Sequence, residues 1–225
     1  MIKIIPDFLP KPLFKYLKQL VENEKGMLWN FNPNLLKQQT ITNNGEDYKF
    51  SKTLYCSPEL SDNRIEVYDQ ELMPLFGVFQ LFMMEHMQDR CKDEKKGGAK
   101  LIRMKMNLYP NQEKQIDHGI HNDIWTNGRA DLNVVTSVFN FHTCNGSTTV
   151  FDKDEQGEYT KKVIVPSVEN TIVMFNNTHP HFGTTQNDIP ARIVLNINIA
   201  KAPVNPLTED PITGKEKFEP LDDYF

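Results

Sequence analysis

Arg192-Ile193-Val194-Leu195-Asn196-Ile197-Asn198-Ile199 carries two different surfaces in one strand. Successive side chains of an extended chain point to opposite sides, so Ile193, Leu195, Ile197 and Ile199 share one face, and Arg192, Val194, Asn196 and Asn198 share the other. The apolar face needs a hydrophobic cover. The polar face either meets water or lines an interior that is not hydrocarbon, and the stretch alone leaves both open. Residues 101–109 divide the same way, with Ile102, Met104, Met106 and Leu108 alternating with Arg103, Lys105, Asn107 and Tyr109. Strands of this kind are what a ligand-binding jelly roll needs.

The pattern around them supports that architecture. Further short strands are expected at about 132–141, 147–152, 160–165 and 170–176, and another at 2–5. Two helices precede most of them. Pro10 and Pro12 flank the start of the first, and Leu13, Leu17, Leu20 and Val21 recur at helical spacing to about residue 23. The second is expected over about 67–92, where Leu72, Phe76, Phe79, Met83 and Met87 form an apolar stripe that reads as core. Many short strands after two helices give an α+β, mainly β fold: a double-stranded β-helix with N-terminal helices packed on one sheet. The expected organisation is one domain over 1–200, with helical support to about residue 98 and the jelly-roll core from about 99, then a Pro-rich tail over 201–225. The segment 28–56 is mixed, with turn signals at Asn32-Pro33-Asn34 and Asn43-Asn44-Gly45, and the segment 28–66 and the loop 124–131 are expected to shape the entrance to any site.

Composition narrows the class. With 225 residues and ordinary proportions of apolar and charged residues, the chain is long enough for one substantial core. A net charge of −5 argues against a dedicated nucleic-acid binder, and the run Lys92-Asp93-Glu94-Lys95-Lys96 mixes both signs. The odd set of Cys56, Cys91 and Cys144, with no C-x-x-C, favours a reducing compartment. Met1 to Pro6 is too short an apolar run for a signal peptide, and Leu72 to Met84 is too short and interrupted to span a bilayer. The expected location is the cytoplasm, with no membrane partner.

The chemistry concentrates in the histidines. Five of the six lie between His118 and His181. In an extended segment, His121 and Asp123 project to the same side and can point at one metal ion. A distal histidine, His179 or His181, would complete two imidazoles and one carboxylate, a facial set that leaves coordination positions open and suits non-heme Fe(II). His118 has Ile120 rather than an acid two positions on, and His142 receives no role.

The downstream context makes the pattern specific. Asn107-Leu-Tyr109-Pro, Glu113-Lys114 leading to His121-Asn-Asp123, Gly146-Ser-Thr-Thr149-Val-Phe151, His181-Phe-Gly and Arg192-Ile-Val-Leu-Asn-Ile-Asn198 follow one another in order. Over residues 107–199 this resembles the prolyl-4-hydroxylase-like branch of the Fe(II)/2-oxoglutarate oxygenases, and in particular its short virus-borne members. Ile5-Pro-Asp-Phe-Leu-Pro10 before a helix is similar to the way these domains begin. The resemblance favours His181, which is followed by Phe182-Gly183 and lies eleven residues before Arg192, over His179, which becomes a candidate to support the site. It implies Fe(II) held by His121, Asp123 and His181, with 2-oxoglutarate as co-substrate and O2 as oxidant. Ascorbate is a candidate reductant. Arg192 would bind the far carboxylate of 2-oxoglutarate, a role that suits a planar guanidinium. The alternative for Arg192 is a surface strand residue paired with Asp188. Tyr109 and Asn107, on one strand face, are candidates to hydrogen-bond the same co-substrate, although Tyr109 lies farther from His121 than is commonest. Trp125 either walls the substrate entrance or belongs to the core.

The implied activity is a dioxygenase that hydroxylates a C–H bond and releases succinate and CO2, with a prolyl residue of a protein or peptide, or a small molecule, as substrate. Two other classes stay open. A cupin-like metal enzyme that does not use 2-oxoglutarate would be indifferent to Arg192. A non-catalytic binding module on the same fold would hold no metal.

Overall fold

The computed structural model describes residues 2–23, 28–32, 48–58, 60, 67–69, 72–87, 99–126, 129–131 and 133–200. Most strands are antiparallel and gathered into two facing layers. The large sheet has the order β1 (Ile2–Ile5), β11 (Thr171–Asn176), β8 (Val134–Asn140), β13 (Ala191–Ala200), β5 (Lys100–Pro110), β3 (Lys49–Cys56) and β2 (Asn30–Asn32), with β4 (Val67–Tyr68) beside β3. The smaller sheet runs β10 (Tyr159–Ser167), β9 (Cys144–Lys153), β12 (His181–Thr184). A short hairpin, β6 (Trp125–Thr126) and β7 (Arg129–Ala130), stands apart from both. This is a jelly roll, with α1 (Lys11–Asn23) and α2 (Met73–Met87) packed against the large sheet.

The helices cover the face that the sequence pattern left apolar. Leu17 of α1 and Leu75, Phe79 and Met83 of α2 are buried with Ile193, Leu195, Ile197 and Ile199 of β13 and Met104 and Met106 of β5. Phe79 meets Phe139 of β8 edge to face at 4.8 Å between ring centroids, a favoured arrangement for paired aromatic quadrupoles. A second, smaller core lies between the sheets, where Val138, Val150, Val165, Val173, Phe175 and Val194 meet. The facing side of β5 and β13 adds only Tyr109 and Val194 to that core. It carries Arg103, Lys105, Asn107, Arg192, Asn196 and Asn198, in register with one another across the two strands.

Most expected elements are present, with two differences. The second helix begins at Met73 rather than near 67, because Val67 and Tyr68 pair with β3. Pro74 then falls in the first turn, where its missing N–H costs nothing, and the Asp69 carboxylate accepts the Leu72 N–H at 3.1 Å. The segment 28–56, which carried no clear pattern, supplies β2 and β3 to the large sheet. Residues 201–225, the Lys92–Gly98 run, Cys91 and the Asn43-Asn44-Gly45 turn lie outside the described residues. No helix among the described residues is long and apolar enough to cross a membrane.

Candidate metal centre and ligand pocket

The loop after β5 brings half of the site to the other half. It runs back antiparallel to β12, with bridges between Asp117 and Thr184 and between His121 and His181. His121 and His181 exchange both backbone hydrogen bonds, at 2.9 and 3.0 Å, which holds their side chains next to one another. Their rings lie 4.5 Å apart between centroids. His181 is in turn paired with Val150 of β9, so the smaller sheet fixes both imidazoles. Asp123 enters from the same segment. His121 Nε2 lies 3.8 Å and His181 Nε2 3.9 Å from Asp123 Oδ1, and the three ligand atoms all fall within 4.8 Å of one another. The pair is not part of a regular strand, as the i, i+2 argument assumed. His121 is a bridge residue and Asp123 sits in a bend, with Asn122 turned away to donate to the Asn177 carbonyl at 2.7 Å.

Each ligand side chain is oriented by a neighbour. The Gly119 carbonyl accepts from His121 Nδ1 at 2.9 Å, which leaves the Nε2 lone pair facing the triad. Asp123 Oδ2 accepts from the Asn196 and Asn198 amides at 2.8 and 3.1 Å, so Oδ1 is the oxygen turned to the imidazoles. Arg103 stands 3.2 Å from that same Oδ1 and is itself held by Asn198. Burial alone would raise the Asp123 pKa, but Arg103 first, then the two imidazoles and the Asn196 amide, hold the carboxyl well below its usual range. Burial lowers His181 to a pKa of about 4, so its ring is neutral at pH 7, the form that binds metal. Asn177, fully buried, clamps the segment that carries Asp123: its amide accepts from the Ile124 N–H at 3.0 Å and donates to the Ile124 carbonyl at 2.7 Å.

Arg192 is buried, not a surface residue, and Asp188 is occupied with the Asn145 N–H rather than with it. All five guanidinium N–H groups meet neutral acceptors: Ser167 Oγ, the Ser147 and Thr184 carbonyls, Asn140 Oδ1 and Thr148 Oγ1. The hydrogen bonds are satisfied while the charge is not neutralised by any of them. Burial pushes the Arg192 pKa down for the same reason. The stem passes close to Gly146, where a Cβ would lie 3.2 Å from Arg192 Cδ and 3.0 Å from the Thr184 carbonyl oxygen. Glycine in the Gly146-Ser-Thr-Thr motif is therefore room for the arginine.

Triad and arginine open into one cavity of about 430 Å³, which Tyr109, Asn107, Thr148 and Val194 also line. Tyr109 stacks near Arg192, 5.8 Å from ring centroid to Cζ, and Asn107 keeps Oδ1 buried without a hydrogen-bond partner. Arg192, Tyr109 and Asn107 line one cavity with His121, Asp123 and His181. Trp125 is not a core residue. It is 53% exposed at the mouth, with its indole N–H on the Asn122 carbonyl at 3.0 Å.

The remaining histidines separate cleanly. The His179 side chain is engaged elsewhere, with Nε2 3.3 Å from Asp152 and its ring against Tyr159, while its backbone lies against the His181 imidazole. His142 lies at the helix layer, accepting from the Ile193 N–H and donating from Nε2 to Glu22 at 3.0 Å. His118, set aside as a ligand, is buried in the pocket wall against Tyr109, at 4.9 Å between ring centroids. Sequence reasoning missed the supporting roles of Arg103, Asn140, Thr148, Asn177, Asn196 and Asn198. For Arg103, Asn196 and Asn198 the signal was present in the polar faces of residues 103–109 and 192–198.

No family model and no curated protein matches the sequence. Solved structures do match the fold. An oxidoreductase of the 2OG-Fe(II) oxygenase family from Burkholderia pseudomallei superposes with a TM-score of 0.64 at 9% identity, covering 89% of this chain and 85% of that one. A Pseudomonas putida prolyl-4-hydroxylase gives 0.56 at 14% identity, covering 88% and 91%. HygX from Streptomyces hygroscopicus, with nickel, 2-oxoglutarate and hygromycin B bound, gives 0.51 at 9% identity, covering 88% and 82%. The chain has the jelly-roll fold of the 2OG-Fe(II) oxygenases.

Proposed function

We propose that this protein is an Fe(II)- and 2-oxoglutarate-dependent dioxygenase that hydroxylates a substrate C–H bond and releases succinate and CO2. The observation that carries the reading is the coexistence, in one cavity, of a His121/Asp123/His181 triad and a buried arginine whose hydrogen-bonding partners are all neutral. Two imidazole nitrogens and one carboxylate oxygen on one side of a metal suit Fe(II) and leave positions for other ligands. His121 Nε2, His181 Nε2 and Asp123 Oδ1 would hold it. Bound Fe(II) and 2-oxoglutarate supply the oxidation: O2 gives one oxygen atom to the substrate and one to succinate, and CO2 leaves.

The chain's own residues orient and desolvate. Arg192 offers a positive charge to the far carboxylate of 2-oxoglutarate, and its longest hydrogen bond, 3.3 Å to Thr148 Oγ1, lies at the pocket wall. Thr148 and Tyr109 supply hydroxyls there, and Asn107 supplies an amide whose Oδ1 has no partner within the protein. Val138 and Val194 close the cavity with apolar surface, which strengthens each polar contact inside it. Trp125 walls the mouth. A prolyl residue is one candidate substrate, since a prolyl-4-hydroxylase shares the fold.

Purified protein supplied with Fe(II), 2-oxoglutarate and air is expected to form succinate, and Asp123→Ala to abolish it. Arg192→Met should raise the KM for 2-oxoglutarate at least tenfold, as loss of a buried charge-paired hydrogen bond costs about 2 kcal/mol or more. Full turnover in Asp123→Ala would sink the ligand assignment. An unchanged KM in a folded Arg192→Met protein would favour a metal enzyme that does not use 2-oxoglutarate.

A further inference from the structure

The cavity carries more positive charge than one co-substrate anchor explains. Besides Arg192, its wall includes Lys49, Arg103 and Lys105, while Asp123 is the one carboxylate among the described lining residues. Arg103 is committed to Asp123 and Asn198. Lys105 is not committed in this way. It stands on the pocket face of β5 between Arg103 and Asn107, opposite Asn196 of β13, and no described carboxylate forms an ion pair with it. Burial and the like charges of Lys49 and Arg103 lower its pKa to about 8, the effect of cations crowded into a partly desolvated wall. Beside it, Asn107 is 6% exposed and keeps its Oδ1 without a hydrogen-bond partner.

A buried wall of this kind is costly to maintain without a counter-charge. Asp123 offsets the charge of Lys105 only in part: it acts on the ammonium from a distance and forms no ion pair with it, being held by Arg103 and two amides. The far carboxylate of 2-oxoglutarate does not supply the counter-charge, if it goes to Arg192. Arg192 sits across from Tyr109 in the β5–β13 register, whereas Lys105 sits four residue pairs away, across from Asn196, one of Asp123's amide partners. The cavity, about 430 Å³, is toward the small end of ligand pockets, roughly 300–1,000 Å³, and must also hold the co-substrate.

We propose that the primary substrate is a small molecule bearing a carboxylate or phosphate, which Lys105 binds, so that its reacting C–H is presented to the triad. This rests on the reading of Arg192 as the anchor of 2-oxoglutarate, and it makes Lys105 a specificity residue.

The test uses the full chain loaded with Mn(II), which stands in for Fe(II), and 2-oxoglutarate without O2. Binding of 2-oxoglutarate is measured first by calorimetry, and absence of that heat counts against the co-substrate reading alone. Matched probes are then titrated into the same protein: glutamate against glutamine, phosphoserine against serine, and a nucleoside monophosphate against its nucleoside. The expected result is that an anionic member binds at least tenfold tighter than its neutral twin, with 2-oxoglutarate still bound. The preference should shrink at high salt, collapse in Lys105→Met and return in Lys105→Arg. Whichever pair shows it identifies carboxylate or phosphate. Equal affinity within every pair overturns the proposal, as does a preference that survives Lys105→Met. Displacement of 2-oxoglutarate by the anionic probe also overturns it, by assigning these cations to the co-substrate.

Discussion

His118 shows how a single side chain can be at the site without being a ligand. Buried against Tyr109, it faces Lys49, Arg192 and His121, and burial first, then these charges, lower its pKa to about 3. The ring is therefore neutral in the folded protein over the whole physiological range, while in the unfolded chain it takes a proton near the ordinary histidine value of 6.5. The unfolded state binds the extra proton between those two values, so stability falls as pH drops from about 6.5 towards 3 and is unaffected by His118 above that window. His118→Phe should flatten the acid limb of stability measured by urea unfolding from pH 7 to pH 4, while leaving the curve above pH 7 parallel to wild type. An acid limb of unchanged slope would show that His118 is not the group responsible.

At the scale of elements, what could be read in the sequence is what one strand or helix decides for itself. The alternation in 192–199 predicts β13 and assigns its faces, because a sheet covered on one side by helices and on the other by a polar cavity imposes a period of two on both faces. β12 and the returning loop did not announce themselves. His181–Thr184 is four residues long, and its partner strand is a loop that pairs through isolated bridges, so neither has enough residues to show a period. The clamp that joins them is equally silent, since an asparagine at 177 has no local signature for a contact with residue 124. Its energetic weight is nevertheless considerable. Asn177→Ala would leave the Ile124 N–H without a partner inside the protein and its carbonyl with the Asp131 N–H alone, and an orphaned buried group costs about 1–3 kcal/mol. The variant is expected to lose a few kcal/mol of stability and, because Asp123 adjoins Ile124, at least tenfold in metal affinity, in line with the effect of altering groups that orient ligands. Calorimetric titration with Mn(II) checks the second part, and an unchanged affinity would mean that Arg103, Asn196 and Asn198 hold the carboxylate without the clamp.

Across the whole molecule the large sheet separates two jobs. One face is buried by α1 and α2 through Leu17, Leu75 and Phe79, and the other turns Arg103, Asn107, Arg192 and Asn196 into the cavity. Stability drawn from the helix side should therefore be nearly independent of ligand binding on the site side, since contributions add when sites share no partners. Phe79 is fully buried among Phe8, Phe139 and the helix core, and Phe79→Ala is expected to cost about 3–5 kcal/mol through lost contacts and the cavity left behind. Loading with Mn(II) and 2-oxoglutarate should stabilise the folded state by mass action, about 2.7 kcal/mol at a hundredfold excess over Kd. The prediction is that this gain, measured as the change in urea unfolding free energy on loading, is the same in wild type and in Phe79→Ala to within about 0.5 kcal/mol. A chelator should remove it from both. A gain that disappears in Phe79→Ala would mean that the helix layer and the metal centre are coupled through β13, and that the two faces of the sheet do not act separately.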